Sequence, residues 1–258
     1  MGRYPLYIFD LDGTLYRGEE PIPYAVDTVC TLKTDGAKVR YLTNNSGQTP
    51  QFFLAKLRRM GFPADIDEIY TSSLGSAKYL KSAGHHSIFV IGEPGLVSTL
   101  RSEGLAVTNA DTDNGISTNG EPSEAVLVGI CRQFTYGLMN EAMQRIRAGQ
   151  PFIATNPDPT FPVEGSKLVP GAGSVVAGIR TCSEKEPYIV GKPNAFLTTL
   201  VLKEAECKPA DALVVGDRED TDLESGRRAG CPTHLVLTGV STSAPPNQVF
   251  SPDLRGLL

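Results

Sequence analysis

Short apolar segments alternate with helical segments in the first 84 residues of this chain. Tyr4 to Phe9 and Lys38 to Thr43 have the length and apolar content of buried strands. Each is followed by apolar residues at helical spacing, and the two helical segments end at Gly36 and Gly61. Strands that alternate with helices form parallel, doubly wound sheets. The sequence therefore predicts an α/β fold built on such a sheet.

The domain organisation follows from a change in this pattern after Gly84. A polar, turn-rich stretch interrupts the alternation there, and "PYIVGKPN" (187–194) later begins a new strand–loop–helix unit. Neither repeats nor a low-complexity linker separate the two parts. A second domain can thus only be an insertion. We predict a core domain of residues 1–83 and 187–258 and an inserted domain of residues 84–186.

Composition excludes several classes of partner. The net charge is −5 without a run of Lys and Arg, so we predict no nucleic-acid partner. Apolar stretches are too short for a membrane span, and the first residues do not read as a signal peptide, so we predict no membrane partner. The five cysteines are an odd number and are far apart in sequence, which favours free thiols and a cytoplasmic location. With only three histidines, any metal should have oxygen ligands.

Four segments share one layout, a strand that ends in polar residues. They are "FDLDGT" (9–14), "YLTNNS" (41–46), "IVGKPN" (189–194) and "VVGDREDTD" (214–222). In an open α/β sheet, ligands bind beyond the carboxyl ends of the strands. The four segments therefore predict a single crevice, although they are far apart along the chain.

The residue types in these segments suit phosphoryl transfer. Asp10, Asp12 and Asp217 are carboxylates at strand ends, and a divalent cation would relieve their mutual repulsion. Mg²⁺ prefers a few carboxylates, waters and a substrate phosphate. Lys192 supplies a positive charge for an anion, and residues 43–46 supply neutral hydrogen-bond donors. In such a site one aspartate attacks phosphorus, and the other protonates the leaving oxygen.

The order of these motifs resembles that of a known superfamily. "DLDGT", "TNNS", "GKP" and "GDREDTD" resemble the four motifs of the haloacid dehalogenase superfamily. "GTLYRG", "VIGEPGL", "ATNPD", "PGAGS" and "GKPNAF" resemble its NagD-like, p-nitrophenylphosphatase-like branch, and the likeness covers nearly the whole chain. The resemblance implies a Rossmann-like core, an inserted α/β cap domain, and Mg²⁺-dependent phosphatase activity on a small phosphorylated metabolite. Caps of this branch often dimerise, so a homodimer through the cap and a monomer both stay open.

The resemblance also implies roles for the aspartates. By matching position, Asp10 is the nucleophile and Asp12 the general acid and base. Mg²⁺ would be held by the Asp10 carboxylate, the Asp12 backbone carbonyl and Asp217. Asp222 fits the last acidic position, which supports the site from behind these ligands. Asp220 does not fit that spacing, and we predict that it lies at the surface.

The remaining residues concern the substrate. The resemblance assigns phosphate binding to Thr43, Asn44, Asn45 and Lys192. Phe161 lies in "PFIATNPDPTFP" (151–162), which reads as a strand that runs into a proline-rich loop. Some relatives that act on pyridoxal phosphate carry a histidine at the position of Phe161. This difference weakens the case for pyridoxal phosphate as the substrate without excluding it. Phosphoglycolate, nucleotide monophosphates, and sugar or glycerol phosphates stay open.

Other readings of the motifs compete with a phosphatase. A phosphotransferase or phosphomutase could use the same fold, although only 30 residues separate Asp12 from Thr43, too few for the large cap of the β-phosphoglucomutase type. In a dehalogenase Asp12 would be superfluous, because a halide leaves without a proton. A non-catalytic phosphometabolite sensor could also retain the fold. "GAGSVVAG" is better explained as a helix start than as a dinucleotide-binding loop, and "NADTDNG" as a turn than as a calcium loop.

Overall fold

The structure is a computed structural model that describes residues 4–163 and 167–258. The described chain divides into two compact units. The first unit contains residues 4–43, Gln51–Tyr70 and Lys192–Leu258, and the second contains Asn44–Pro50 and Thr71–Gly191. The chain therefore passes between the units four times. The domain boundaries at residues 84 and 187 stay a prediction from sequence.

Short strands alternate with helices along the described chain. The strands are β1 (Leu6–Phe9), β2 (Tyr16–Arg17), β3 (Glu20–Pro21), β4 (Lys38–Thr43), β5 (Ile69–Thr71), β6 (Ser87–Ile91), β7 (Ala106–Val107), β8 (Ala125–Val128), β9 (Phe152–Ala154), β10 (Thr160–Val163), β11 (Lys167–Pro170), β12 (Tyr188–Ile189), β13 (Ala212–Gly216), β14 (Thr233–Val236) and β15 (Phe250–Ser251).

The α-helices follow most of these strands. They are α1 (Ala25–Thr34), α2 (Pro50–Arg59), α3 (Ser72–Ser82), α4 (Pro94–Ser102), α5 (Tyr136–Arg147), α6 (Ala172–Ser183), α7 (Phe196–Glu204) and α8 (Glu224–Arg228). Within residues 4–163 and 167–258, none of the helices combines the length and apolar composition that a bilayer crossing needs.

The first sheet has the strand order β15-β14-β13-β1-β4-β5. Strand β1 is parallel to both of its neighbours, and Phe9 at its end is paired with Val215 of β13 and Tyr41 of β4. All four residues of β1 are buried, as expected for a parallel strand that is covered on both faces. The carboxyl ends of β1, β4 and β13 therefore lie at the same edge of this sheet.

The second sheet has the strand order β12-β9-β8-β6-β7, and all its pairings are parallel. Phe89, Val126 and Ile179 are among the fully buried residues of its core. The prediction of an α/β fold with parallel sheets is thus confirmed. Strand β12 lies in this second sheet, whereas the sequence suggested that the segment before Lys192 completes the first one.

One stretch predicted as a loop contains a strand. The strand at the start of residues 151–162 is β9, but residues 160–163 then pair antiparallel with residues 167–170. Prolines in both strands suggested a loop. A two-stranded ribbon has an open edge on each strand, so it tolerates proline where an inner strand of a sheet would not.

Candidate functional site

The first unit places Asp10 and Asp217 at neighbouring strand ends. The Asp10 backbone N–H donates to the Val215 carbonyl (2.9 Å), which extends the pairing of β1 with β13 by one residue. Asp217 directly follows Gly216, the last residue of β13. The register pairs Phe9 with Val215, so the two aspartates follow adjacent parallel strands, with Asp217 one residue further along than Asp10.

Lys192 joins this group as a buried cation. Its Nζ lies 2.5 Å from Asp10 Oδ1 and 2.7 Å from Asp222 Oδ1, and it donates to the Leu42 carbonyl (3.3 Å). The residue is only 3% exposed. Burial lowers the pKa of Lys192, but the two carboxylates outweigh burial, so the pKa lies above its ordinary value and the ammonium stays charged.

The carboxylates of Asp10, Asp217 and Asp222 form a compact acidic cluster. One oxygen of each lies within 4.8 Å of the others. Burial and then repulsion by Asp222 raise the pKa of Asp217 to about 7. The same two causes, in the same order, raise the pKa of Asp10 well above that of an ordinary aspartate, although Lys192 acts in the opposite direction.

This cluster has the donor set of a divalent cation site. Three carboxylates and the Lys192 ammonium carry a net charge of −2 when all are ionised. Clustered carboxylate oxygens are the ligands that Mg²⁺ and Ca²⁺ prefer. A bound dication would remove the repulsion that raises the pKa values of Asp10 and Asp217.

Asp12 lies apart from this cluster, in the turn after β1. Its accessible area is that of an exposed residue. The surrounding protein still desolvates the carboxylate and raises the pKa of Asp12, while the Lys56 ammonium acts in the opposite direction. Lys56 lies over the Tyr16 ring, with its Nζ 4.2 Å from the ring centroid, and pairs with Glu19 (3.3 Å). Asp12 is thus an exposed residue outside the acidic cluster, and its carboxylate is partly desolvated.

The predicted phosphate-binding segment crosses from one unit to the other. Thr43 is buried at the end of β4 in the first unit, and Asn44 and Asn45 begin a segment of the second unit. Within the second unit, Asn44 Nδ2 donates to Asp158 Oδ2 (3.0 Å). The Gly47 N–H donates to Asn45 Oδ1 (2.9 Å). The phosphate-binding roles of all three residues stay a prediction.

Two contacts of the acidic cluster were not predicted from the sequence. Thr14 Oγ1 lies 3.4 Å from both Asp10 Oδ2 and Asp217 Oδ1, and its place in the "DGT" motif was the available signal. The Val240 N–H donates to Asp217 Oδ2 (2.6 Å). A backbone donor has no signature in sequence, so this second contact could not be found there. Asp220, predicted to lie at the surface, is 72% exposed in its side chain.

Comparison with family models identifies two matching regions. Residues 7–106 match the model described as haloacid dehalogenase-like hydrolase. Residues 189–254 match a model described as HAD-hydrolase-like. Together the two regions include all four motif segments and more than half of the chain.

Curated relatives of the chain have phosphatase names. A glycerol-3-phosphate phosphatase of Gallus gallus is 35% identical over 249 residues, which cover 91% of this chain and 80% of that protein. A 5'-nucleotidase of Bacillus subtilis (strain 168), YutF, is 34% identical over 242 residues, which cover 93% of this chain and 90% of that protein.

Solved structures extend the similarity to the fold. The glycerol phosphate phosphatase of Mycobacterium tuberculosis in complex with magnesium has a TM-score of 0.85 and 31% identity, covering 98% of this chain and 77% of that chain. NagD from the E. coli K-12 strain has a TM-score of 0.85 and 27% identity, covering 98% of each chain. The motif resemblance seen in the sequence is therefore matched in both sequence and structure.

Proposed function

Because the chain belongs to the haloacid dehalogenase-like hydrolase family, as a phosphatase of its NagD-like branch, we propose that it hydrolyses small phosphomonoesters with Mg²⁺ through an aspartyl-phosphate intermediate. The observation that carries this proposal is the position of Asp10. Its carboxylate lies at the end of a central strand, against the buried Lys192 ammonium and two further carboxylates. This arrangement provides a nucleophile, an anion-binding charge and metal ligands in one place.

In the first half of the reaction, an Asp10 carboxylate oxygen attacks phosphorus and the bond to the ester oxygen breaks. Asp12 donates its proton to that departing oxygen, so the alcohol leaves neutral. The raised pKa of Asp12 favours the protonated form that this step requires. The exposure of Asp12 suits contact with the ester oxygen of a substrate that binds from solvent.

Binding of the phosphoryl group is assigned to Lys192 and Thr43. The Lys192 ammonium is held at a fixed point by two carboxylates and the Leu42 carbonyl, so it needs little rearrangement to face a phosphoryl oxygen. Mg²⁺, when bound by Asp10, Asp217 and the Asp12 backbone carbonyl, would neutralise phosphoryl charge that otherwise repels the attacking carboxylate. Asp222 holds Lys192 from the other side.

In the second half, water replaces the enzyme at phosphorus. Asp12, now a carboxylate, accepts a proton from water while the water oxygen attacks phosphorus. The bond between phosphorus and the Asp10 oxygen breaks, and inorganic phosphate and the Asp10 carboxylate are restored. One residue thus acts as acid and then as base, as the symmetry of the two half-reactions requires.

The test compares two aspartate substitutions with p-nitrophenyl phosphate and Mg²⁺. Asp10→Asn should abolish turnover, because an amide cannot form the acyl phosphate. Asp220→Asn is the matched control, since Asp220 is exposed and pairs only with Arg218 among the contacts described. It should retain wild-type activity. Residual turnover of more than a few per cent in Asp10→Asn, beyond slow deamidation, would exclude Asp10 as the nucleophile.

The same assay separates the alternatives that the sequence left open. A sensor would bind phosphate without turnover. A phosphotransferase would move the phosphoryl group to an added alcohol or sugar in preference to water. The substrate class requires a panel, because one relative is named for glycerol phosphate and another for 5'-nucleotides. The panel should contain glycerol phosphate, sugar phosphates, nucleotide monophosphates, phosphoglycolate and pyridoxal phosphate.

Cellular setting and assembly complete the proposal. The five cysteines are free, which suits the reducing cytoplasm that the sequence predicted. A homodimer through the inserted domain, and the absence of nucleic-acid and membrane partners, remain predictions from the sequence.

A further inference from the structure

The loop after β9 holds Asn44 in place within the second unit. Asn156 Nδ2 donates to the Asn44 carbonyl (2.7 Å), and the Ser72 hydroxyl donates to the same carbonyl (2.5 Å). Asn44 Nδ2 donates to Asp158 Oδ2 (3.0 Å). Asn44 is therefore fixed through its main chain and its side chain by residues distant in sequence.

The carboxamide of Asn156 has a defined orientation. The residue is only 4% exposed. Its Oδ1 accepts from the Asp158 N–H (3.1 Å), and its Nδ2 also donates to Thr155 Oγ1 (3.3 Å). The Asp158 N–H can only donate and the Asn44 carbonyl can only accept, so one orientation of the Asn156 amide matches both groups.

The same loop also contacts Gly191. The Gly191 N–H donates to the Thr155 carbonyl (2.8 Å). A Cβ at Gly191 would lie 2.5 Å from Asn44 Oδ1 and 2.5 Å from the Thr155 carbonyl oxygen. Any side chain there would push Asn44 or the loop out of place. Asn44, Thr155 and Gly191 therefore pack together closely.

These contacts occur at one point where the chain enters the second unit and at one point where it leaves that unit. Asn44 directly follows Thr43, and Gly191 directly precedes Lys192. Thr43 and Lys192 are the two residues to which the proposed function assigns the phosphoryl group. Because a trans peptide is planar, fixing the Asn44 carbonyl also fixes the direction of the Asn45 N–H.

We propose that Asn156 is a positioning residue for phosphate binding. Its carboxamide holds the Asn44 carbonyl and thereby sets the path of Asn44 and Asn45. The inference rests on the proposed function and adds to it a residue outside the four motifs. A displacement of about 1 Å in such a segment can cost on the order of 100-fold in rate.

Asn109 provides a matched control. It is also a buried asparagine of the second unit, 3% exposed, with Nδ2 donating to the Val90 (2.9 Å) and Ser117 (3.0 Å) carbonyls. Its Oδ1 accepts from the Val90 N–H (2.9 Å). Among the contacts of the described residues, the hydrogen bonds of the Asn109 side chain do not involve Asn44, Thr155 or Gly191. Substitution of Asn109 should therefore disturb the second unit without moving the phosphate-binding segment.

The experiment compares Asn156→Asp with Asn109→Asp in the full chain with Mg²⁺. Each change keeps one oxygen and replaces the donating nitrogen with an oxygen that cannot donate. Melting temperature, kcat and KM are measured, together with the affinity for inorganic phosphate by calorimetry. Asn156→Asp should weaken phosphate affinity roughly 10- to 100-fold. Asn109→Asp should lower the melting temperature comparably and leave phosphate affinity within about twofold.

Equal phosphate affinity in the two variants would overturn the inference while leaving the proposed function intact. A wild-type chain that neither binds phosphate nor hydrolyses p-nitrophenyl phosphate would overturn both. Should Asn156→Asp fail to fold, Asn156→Ala removes the donor to the Asn44 carbonyl without adding a charge, and Asn156→Gln returns a carboxamide that can donate. Weak phosphate binding in the first and recovery in the second would support the inference. Unchanged binding in both would overturn it.

Discussion

Lys192 balances only part of the negative charge around it. It contacts Asp10 and Asp222 directly, and Asp217 completes a group of three carboxylates against one ammonium. Removing one partner of a buried ion pair leaves an uncompensated charge, so every member of this group depends on the others. The site is therefore a single electrostatic unit, and substitutions within it should not have additive effects.

Asp12 does not belong to this electrostatic unit, so its role can be tested without disturbing the unit. Because it is exposed and lies outside the acidic cluster, Asp12→Asn should preserve the Lys192 ion pairs and the metal ligands. Loss of the general acid should slow hydrolysis of alkyl phosphates by about 10²- to 10⁴-fold. p-Nitrophenyl phosphate should be affected much less in the phosphorylation step, because nitrophenolate leaves without a proton.

Rapid-mixing kinetics of the first turnover, with both substrates, measure this difference. Magnesium affinity serves as the control, since the Asp12 contribution to the metal is a backbone carbonyl that the substitution retains. An equal loss with both substrates would show that Asp12 is not the acid for the leaving group.

At the residue scale, the sequence identified the chemically distinctive members of the site. Asp10, Lys192, Asp217 and Asp222 stand at fixed places in ordered motifs, and the structure brings all four together. The sequence did not identify the Val240 N–H, because every residue except proline has the same backbone donor. Contacts made by the backbone depend on loop conformation, which short-range patterns do not encode.

At the scale of elements, long periodic segments were predictable and short ones were not. Helices α1, α2 and α6 lie close to the positions that apolar spacing and neighbouring glycines indicate. Strands of two residues, such as β2 and β15, carry too little pattern to be recognised. Their existence depends on a neighbouring strand that is distant in sequence or follows a tight turn.

The second sheet allows a test of core packing. Ile91 is fully buried in β6, so Ile91→Ala should lower the free energy of unfolding by about 2–5 kcal/mol. Leu168 in β11 is 67% exposed, and Leu168→Ala should change stability by less than about 0.5 kcal/mol. Urea denaturation of both variants measures the difference. Equal losses would mean that β6 does not belong to the stabilising core.

At the scale of the whole molecule, the segment predicted to bind phosphate passes from one unit to the other. The pattern of "TNNS" (43–46) predicts the end of a single strand, but Thr43 belongs to the first unit and Asn44 to the second. Three-dimensional contacts with Asn156, Asp158 and Ser72 determine this division. A pattern within four residues cannot reveal it.

The acidic cluster also gives the whole molecule a stability that depends on pH. Burial and Asp222 raise the pKa of Asp217 from 3.8 to about 7, and Asp10 is shifted in the same direction. Between pH 3.8 and about pH 7, the folded chain therefore binds more protons at Asp217 than the unfolded chain does. Stability from this source is therefore present in full below pH 3.8 and is lost as the pH rises towards 7.

Magnesium should reverse this loss, since it binds the ionised carboxylates and competes with protons. In EDTA, the melting temperature should fall between about pH 5 and pH 8, and the increase produced by Mg²⁺ should be larger at the higher pH. Asp217→Asn removes one titrating group and one ligand, so it should flatten the pH dependence in EDTA and reduce the Mg²⁺ effect at both pH values. Differential scanning fluorimetry of both chains, with Asp220→Asn as the surface control, measures these changes. An equal Mg²⁺ increment at both pH values would show that the ion does not bind at these carboxylates, and the cation would then have to be placed elsewhere.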